Sequence, residues 1–311
     1  MSLTSSARGP LREHRVVVPL RTPMAGLQAV TAVLVDGSSG WGECTSPPPG
    51  YPVDPAAARR AAEEAASGTW PSPQRSRVRV NALIPALPAD DAAVLAATAA
   101  ADGFRCLKVK VGARQESGTA LGYAGGDVDR VAAVRDAIGP GIALRIDANG
   151  AWDLETAIAI LAVLAPYDLE LVEQPVASLE DLGRVRRRVD MPVAADECVR
   201  GIDDARRLAR LDAADAAVIK VQPLGGVGPA MAVADASGVP AIVSCLYETS
   251  VGIAAGLALA AALPELPWAC GLGTAALLAG DVVADPLVPV DGELVVRRPL
   301  PDPDLLDRYE V

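Results

Sequence analysis

The chain has 311 residues, of which 51% are apolar, and it carries a formal net charge of −11 at pH 7. This length allows one large domain and a small additional one, and the apolar content excludes a disordered chain. The negative charge argues against nucleic acid and against an anionic membrane surface as partners, because both repel an acidic protein.

Four local features narrow the class of protein further. The apolar stretch of residues 251–263 is short and interrupted by Gly256, which fits a buried helix and not a membrane span. The N-terminus lacks the basic-then-apolar order of a signal peptide, which predicts a cytoplasmic protein. Five scattered cysteines without a CxxC pair predict buried thiols and not disulfides or zinc ligands. A single histidine, His14, argues against a His-rich metal site and against a nucleophile triad.

Both chain ends differ in pattern from the middle. Residues 11–44 predict three antiparallel strands, and a helix is predicted near residues 54–67. The tail from about Asp281 is rich in Pro and Asp and contains one strand-like run, Glu293–Val296. We therefore expect a small α+β capping domain built from residues 1–77 and 282–311.

Residues 78–281 repeat a short apolar run, a turn and an amphipathic helix. Eight such runs predict eight βα units, and continuous apolarity suits parallel strands that are buried on both faces. The pattern predicts an α/β protein whose catalytic domain is a modified, TIM-like (β/α)8 barrel. The runs are Val78–Ile84, Cys106–Val111, Ala143–Asp147, Leu169–Glu173, Pro192–Asp196, Ala216–Val221, Ala241–Cys245 and Pro267–Gly271.

Helix starts are predicted from capping residues. Asp153 and Ser178 precede two of the helical patterns, and Asp127 is predicted to open a third over residues 127–138. The Gly-rich stretch 112–126 is predicted to be a mobile loop at the mouth of the barrel. The stretch 224–228 resembles a phosphate loop only loosely, and a plain strand-to-helix turn is favoured there.

Lysine is rare and occurs only in predicted barrel strands. The chain has three lysines, Lys108, Lys110 and Lys220, against 25 arginines. Arginine stays protonated at any usable pH, whereas a desolvated lysine can give up its proton. Lys108 and Lys110 are two residues apart, so both point to the same face of their strand. A salt-bridged structural pair is the alternative, but inward-facing lysines in an apolar barrel favour catalysis.

Three consecutive predicted strands end in an acid: Asp147, Glu173 and Asp196. In a barrel these ends lie side by side at the C-terminal mouth, where active sites of this fold are built. Converging carboxylates repel one another unless a cation binds them, and oxygen ligands suit Mg²⁺, for which Mn²⁺ could substitute. The alternative is that Asp147 and Asp196 are helix caps. We expect a metal site in which a lysine removes a proton beside a carboxylate substrate.

These motifs resemble the enolase superfamily, specifically its muconate-lactonizing subgroup. The similarity is carried by LKVKVG at 107–112, RIDANG at 145–150, VEQP at 172–175, ADE at 195–197 and IKVQPLGG at 219–226. The N-terminal GWGEC at 40–44 and the segment 19–26 resemble that superfamily's capping domain and its substrate-covering loop. Toward the chain end, SCLYETSVG at 244–252 and PWACGLGTAALLAGDV at 267–282 resemble the o-succinylbenzoate synthase family.

The resemblance implies a dehydration and a role for each site residue. Lys110 is implied as the base and Lys220 as a cation on the opposite side, with Lys108 tuning Lys110 or contacting the carboxylate. The metal ligands implied are Asp147, Glu173 and Asp196, with Glu197 supporting them. The implied substrate contacts are Arg21, Met24, Asn149, Ser244, Leu246 and Gly271.

Three alternatives stay open. An N-acylamino acid racemase or dipeptide epimerase of the same superfamily would use Lys110 and Lys220 as opposed bases, although the segment 270–274 lacks the Asp-x-Asp typical of dipeptide epimerases. A Schiff-base lyase would use a barrel lysine as a nucleophile, and a non-catalytic barrel would only bind a small acid. The expected partner is a small carboxylate substrate, and we expect a monomer.

Overall fold

The structure is a computed structural model that describes residues 11–24, 26–68, 70–112 and 120–311. For residues 120–125 it describes the backbone alone. Part of the predicted mobile loop, residues 113–119, lies outside the described residues.

The N-terminal part forms a three-stranded antiparallel sheet that packs against one helix. The elements are β1 (Arg12–Met24), β2 (Leu27–Gly37), β3 (Gly40–Thr45) and α1 (Pro55–Ser67). Asp54 caps α1 by accepting a hydrogen bond from the Ala56 amide at 3.0 Å. Six alanines of α1 are buried, and any side chain on Gly42 of β3 would collide with the backbone of Ala62. Small residues on both surfaces therefore let the helix approach the sheet closely.

The middle of the chain forms a curled sheet of seven parallel strands, as the apolar runs predict. The first predicted run is divided, since β4 (Arg77–Arg79) lies outside this sheet. The seven strands are β5 (Ala82–Ile84), β6 (Cys106–Lys110), β7 (Ala143–Asp147), β8 (Leu169–Glu173), β9 (Val193–Ala195), β10 (Ala216–Lys220) and β11 (Ala241–Ser244), paired in chain order.

The eighth predicted strand, Pro267–Gly271, is not a regular strand. Cys270 forms a parallel bridge with Val80, and Gly271 forms one with Ser244 at the other edge of the sheet. The Cys270 amide donates to the Arg79 carbonyl at 2.8 Å and the Gly271 amide to the Val243 carbonyl at 2.8 Å. Two residues thus close the barrel. Cys270 bonds to the segment just before β5, where the Asn81 amide donates to its carbonyl at 2.9 Å, and Gly271 bonds to β11. The expectation of an eighth full strand was wrong.

Helices follow the strands on the outside. They are α2 (Ala89–Ala101), α3 (Ala120–Ile138), α4 (Leu154–Leu164), α5 (Leu179–Arg186), α6 (Ile202–Leu211), α7 (Val221–Leu224), α8 (Val227–Ser237) and α9 (Ser250–Ala262). Asp153 and Ser178 cap α4 and α5 as expected. Asp127 does not start a helix: α3 begins seven residues earlier, so 120–126 is helical and not loop. The Asp127 carboxylate instead accepts the Gly112 amide at 2.8 Å and fixes the end of β6.

The C-terminal tail divides between the two parts of the molecule. Strand β12 (Glu293–Val295) pairs with β4, whereas α10 (Pro303–Tyr309) contributes Leu306 to a cluster with Val16 and Val18 of β1. The domain limits at residues 77 and 282 stay a prediction. Helix α9 is almost wholly buried, and within the described ranges no helix is long and apolar enough to cross a membrane.

Candidate active site

The strand register places the predicted site residues side by side. Lys110 on β6 pairs with Asp147 on β7, and Asp147 pairs with Glu173 on β8. Lys220 ends β10, four strands away from β6, and pairs with Ser244 of β11. Parallel strands bring their C-terminal ends to one mouth, so side chains far apart in sequence share one chamber.

Lys108 bridges two of the carboxylates. Its Nζ lies 2.7 Å from Glu173 Oε1 and 3.1 Å from Asp147 Oδ2, and only 11% of its side chain is exposed. The Lys108 ammonium thus supplies positive charge between two buried carboxylates. Lys108 is therefore buried behind the carboxylates, where direct contact with a substrate is difficult.

Lys110 is more accessible than Lys108. Its Nζ donates to Asp147 Oδ2 at 2.6 Å and to Asn149 Oδ1 at 2.8 Å, while 26% of its side chain is exposed. Lys108 and Lys110, which were predicted to share one face of β6, thus differ in burial and in their partners. Lys110 is therefore the more exposed lysine of this pair.

Lys220 lies on the opposite wall with two partners. Its Nζ donates to both oxygens of the Asp196 carboxylate and to Tyr51 Oη, the latter at 2.9 Å. Tyr51 comes from the segment between β3 and α1, and sequence reasoning missed it. The Pro-Pro-Gly-Tyr run at 48–51 signalled a turn, but nothing local indicated that the turn would lie over a barrel strand.

Burial and mutual charge shift the titration of this cluster. Burial raises the pKa of Glu173 to about 8, and the neighbouring Asp147 charge adds to the shift. Burial also opposes the charge of Asp147, but Lys110 and Lys108 outweigh it and hold its pKa below the ordinary value. For Lys108, Glu173 and Asp147 overcome burial and raise the pKa, and for Lys220, Asp196 does the same. The lysines therefore neutralise carboxylates that would otherwise repel one another.

The donor set of the cluster fits Mg²⁺, although the metal site is not preformed. Across the described part of the chain, no three acidic, His or Cys side chains are arranged to hold one ion. The Lys108 ammonium nevertheless touches Asp147 and Glu173 together, so one cation can bridge these two carboxylates. Asp196 is turned to Lys220 and would have to exchange that partner for a metal. All three ligands offer only oxygen, as Mg²⁺ prefers.

Asn149 and Glu197 lie beside the lysine pair. Asn149 has a left-handed backbone (φ 47°), and its Nδ2 donates to Glu197 Oε1 at 2.8 Å while its Oδ1 accepts from Lys110. The oxygen and the nitrogen of the Asn149 side-chain amide are thus both hydrogen-bonded to protein side chains. Asn149 therefore contacts Lys110 and links Glu197 to the same cluster.

Ser244, Leu246 and Gly271 lie together where the barrel closes. Ser244 Oγ donates to the Gly271 carbonyl at 3.2 Å. A Cβ on Gly271 would lie 2.6 Å from Ser244 Oγ. Leu246 is buried, and its carbonyl accepts from Thr274 Oγ1 at 3.3 Å. A larger residue at 271 would therefore make the Ser244 side chain shift.

Arg21 and Met24 lie on a strand and not in a loop. The segment expected to cover the substrate is the end of β1, where Met24 pairs with Leu27. Arg21 Nε donates to the Ala276 carbonyl at 3.2 Å, so this hairpin lies against the segment that follows Gly271. The described hydrogen bonds of Arg21 join it to this segment and not to the lysines. Strand β1 thus continues into the expected loop, with an irregular register to β2 between Pro19 and Met24.

The capping sheet and α1 contact the barrel through two carboxylates, of which Glu43 is buried and Glu64 is partly exposed. Glu43 of β3 accepts from the amides of Thr249 (3.1 Å) and Gly252 (2.9 Å) at the start of α9. Glu64 of α1 accepts from the Val227 and Gly228 amides at the start of α8. The stretch 224–228 is therefore a turn and not a phosphate loop, with Glu64 at the N-terminus of α8. It joins α7 to α8, so the expectation that a strand leads into this turn was wrong.

Comparisons with known proteins agree with this arrangement. Residues 91–301 match the family described as Enolase C-terminal domain-like. The chain is 48% identical over 281 residues to the o-succinylbenzoate synthase of Thermobifida fusca, covering 90% of this chain and 86% of that protein. Two solved structures share the fold at TM-scores of 0.86 and 0.81. They are the muconate lactonizing enzyme of Pseudomonas putida (20% identity, 98% and 99% of the two chains) and a dipeptide epimerase from Cytophaga hutchinsonii in complex with Mg and a dipeptide (21% identity, 96% and 97%).

The family match covers the strands that carry all three lysines and all three carboxylates, and the identity to the first relative extends over most of both chains. The chain therefore belongs to the enolase superfamily and, within it, to the o-succinylbenzoate synthase family.

Proposed function

We propose that this protein is an o-succinylbenzoate synthase. The reaction removes water from 2-succinyl-6-hydroxy-2,4-cyclohexadiene-1-carboxylate to give 2-succinylbenzoate in menaquinone biosynthesis. The observation that carries the proposal is the pair of opposed lysines, Lys110 on β6 and Lys220 on β10, on either side of three buried carboxylates.

The lysines divide the chemistry between them. Neutral Lys110 Nζ removes the proton on the carbon that bears the substrate carboxylate, and the electron pair that is released shifts into the ring as the hydroxyl leaves. Lys110 then returns this proton to the departing hydroxyl, so water and an aromatic ring are the products. Lys220 stays protonated on the opposite side and stabilises negative charge that develops on the substrate carboxylate.

Asp147, Glu173 and Asp196 are the proposed ligands of Mg²⁺, with Mn²⁺ as a substitute. When bound, the ion supplies positive charge at the substrate carboxylate and thereby makes the adjacent proton more acidic. Lys108 and Lys220 pair with Glu173 and Asp196, so the ion would compete with two ammonium groups for these carboxylates. Glu197, through Asn149, would keep Lys110 oriented.

The substrate contacts proposed are Ser244, Leu246 and Gly271 at the barrel closure and Arg21 and Met24 on the hairpin. Asn149 is proposed to act through Lys110. A small carboxylate substrate, a cytoplasmic location and a monomeric state complete the proposal.

A direct assay tests the proposal. Purified protein is mixed with the cyclohexadiene substrate, and the ultraviolet absorbance change on aromatisation is followed with Mg²⁺, with Mn²⁺ and after treatment with EDTA. We expect turnover with either metal and its loss in EDTA. Turnover that survives EDTA, or trapping of a lysine adduct by borohydride, would point to a Schiff-base lyase. Racemisation of an N-acylamino acid without dehydration would point to a racemase.

A further inference from the structure

Tyr51, in the segment between β3 and α1, contacts Lys220 of the barrel. It ends the turn Pro48–Tyr51, in which the Tyr51 amide donates to the Pro48 carbonyl at 3.1 Å and Gly50 has φ 85°. Proline at the second position and glycine with positive φ at the third are typical of a type II turn. The turn therefore fixes the direction of Tyr51 before any substrate is bound.

The side chain of Tyr51 holds Lys220 in two ways. Its hydroxyl accepts from Lys220 Nζ at 2.9 Å and donates to Asp196 Oδ1 at 3.2 Å. The ammonium also lies 4.6 Å from the centre of the aromatic ring, within the range of a cation–π contact.

Asp196 alone would hold Lys220 from one direction. The carboxylate that binds this ammonium is also a proposed metal ligand, so a metal would compete for it. The Tyr51 hydroxyl is uncharged and is not a proposed metal ligand, so metal binding would not compete for its hydrogen bond with Lys220. It can therefore keep the Lys220 ammonium in place while Asp196 changes partner.

We propose that Tyr51 is a positioning residue that holds the Lys220 ammonium in its working position. This inference rests on the proposed function for its kinetic consequences, but its structural part concerns Lys220 alone.

The scarcity of lysine gives a direct test. In protein labelled with ¹³C at lysine Cε, only three lysine signals are expected, and Lys220→Arg identifies that of Lys220. Spectra of wild type, Tyr51→Phe and Tyr51→Leu are compared without substrate, both with and without Mg²⁺. Tyr167→Phe is the matched control, because it removes a tyrosine hydroxyl at the turn after α4.

The expected result is a shift of the Lys220 signal in Tyr51→Phe, a larger shift in Tyr51→Leu and none in Tyr167→Phe. The kcat of Tyr51→Phe should fall about tenfold, as for a lost hydrogen bond to a charged group, with KM little changed. An unmoved Lys220 signal overturns the proposal. A rise in KM alone also overturns it, because Tyr51 would then contact substrate. A wild type without dehydratase activity would refute the proposed function and leave the spectral test valid.

Discussion

The three lysines differ in environment although the sequence presents them alike. Lys108 is nearly buried between two carboxylates, Lys110 is partly exposed beside Asn149, and Lys220 is held by Asp196 and Tyr51. Burial, charge and access thus assign a separate task to each. This difference makes arginine substitutions informative, because arginine keeps the charge and cannot accept a proton.

Lys110→Arg should lose essentially all dehydration, whereas Lys220→Arg should keep measurable dehydration. The first substitution removes the base, and the second retains a cation where only charge is needed. Initial rates are measured for both variants, with Mg²⁺ binding checked in each. A near wild-type rate in Lys110→Arg would falsify the base assignment. Equal and total loss in both, with metal still bound, would assign proton transfer to Lys220 as well.

Glu173→Gln should weaken Mg²⁺ binding by more than about tenfold, since even groups that merely orient metal ligands are worth about 10- to 100-fold. Thermal stability need not fall, because the loss of one charge also relieves repulsion from Asp147. Calorimetric titration with Mg²⁺ measures the affinity. Glu170→Gln on the same strand is the control, since Glu170 pairs with Arg145 and not with the lysines. Unchanged affinity in Glu173→Gln would exclude it as a ligand.

At the scale of elements, α1 and α8 meet through a carboxylate at a helix N-terminus. Glu64 accepts from two amides that begin α8, and the left-handed Gly226 (φ 133°) leaves room for its carboxylate. The positive end of a helix dipole stabilises such a negative charge. The cap is therefore attached to the barrel by the same feature that binds anions in other proteins.

Glu64→Gln should lower the free energy of unfolding by about 1 to 2 kcal/mol, because it removes a charge from the helix N-terminus. Its neighbour supplies the control. Glu63 pairs with Arg59 on the surface, so Glu63→Gln should change stability by less than about 0.5 kcal/mol. Urea denaturation measures both values. Equal stability of the two variants would show that the Glu64 contact does not hold the cap.

The β1–β2 hairpin is a second element that joins cap and barrel. Arg21→Ala should raise KM a few-fold without changing Mg²⁺ affinity, because Arg21 holds the hairpin against residues that follow Gly271. Arg15→Ala, on the same strand, is the control. Steady-state kinetics with saturating metal decide the point. Identical KM values for wild type and Arg21→Ala would remove this hairpin from the substrate site.

At the scale of the whole molecule, the interface between cap and barrel contains buried acids. Burial raises the pKa of Glu43 to about 8, and Glu248 and Asp281 add negative charge nearby. Burial likewise raises the pKa of Glu248 to about 7. The folded protein therefore retains protons on these acids that the unfolded chain releases.

Stability should fall as the pH rises from 4.5, the ordinary value for Glu43, to about 8, its value in the folded protein. In that window the folded state binds more protons than the unfolded state, so rising pH favours unfolding. Glu43→Gln, which is neutral at every pH, should show a flatter decline in urea denaturation. Glu13→Gln on the exposed edge of the same sheet should follow wild type. Parallel curves for wild type and Glu43→Gln would show that Glu43 titrates normally.

The strands that carry chemistry, and the residues at their ends, were predictable from the amino-acid pattern alone. Buried parallel strands require continuous apolar runs, so Lys108, Lys110, Asp147, Glu173 and Lys220 stood out as polar exceptions, and each lies in a barrel strand. The helix N-caps Asp153 and Ser178 were also predictable, since helix capping depends on residues within one helical turn.

Which of these groups contact one another depends on the three-dimensional packing of the chain. The closing segment needs two bridges and not a full strand, because Cys270 and Gly271 bond to different edges. Tyr51 lies 169 residues from Lys220 in sequence, and Glu64 lies 163 from Val227. Such contacts depend on how the cap packs on the barrel, and no local propensity or spacing encodes that packing. The sequence thus determined the chemical groups of this protein, and the packing of two distant chain segments decided how they are held.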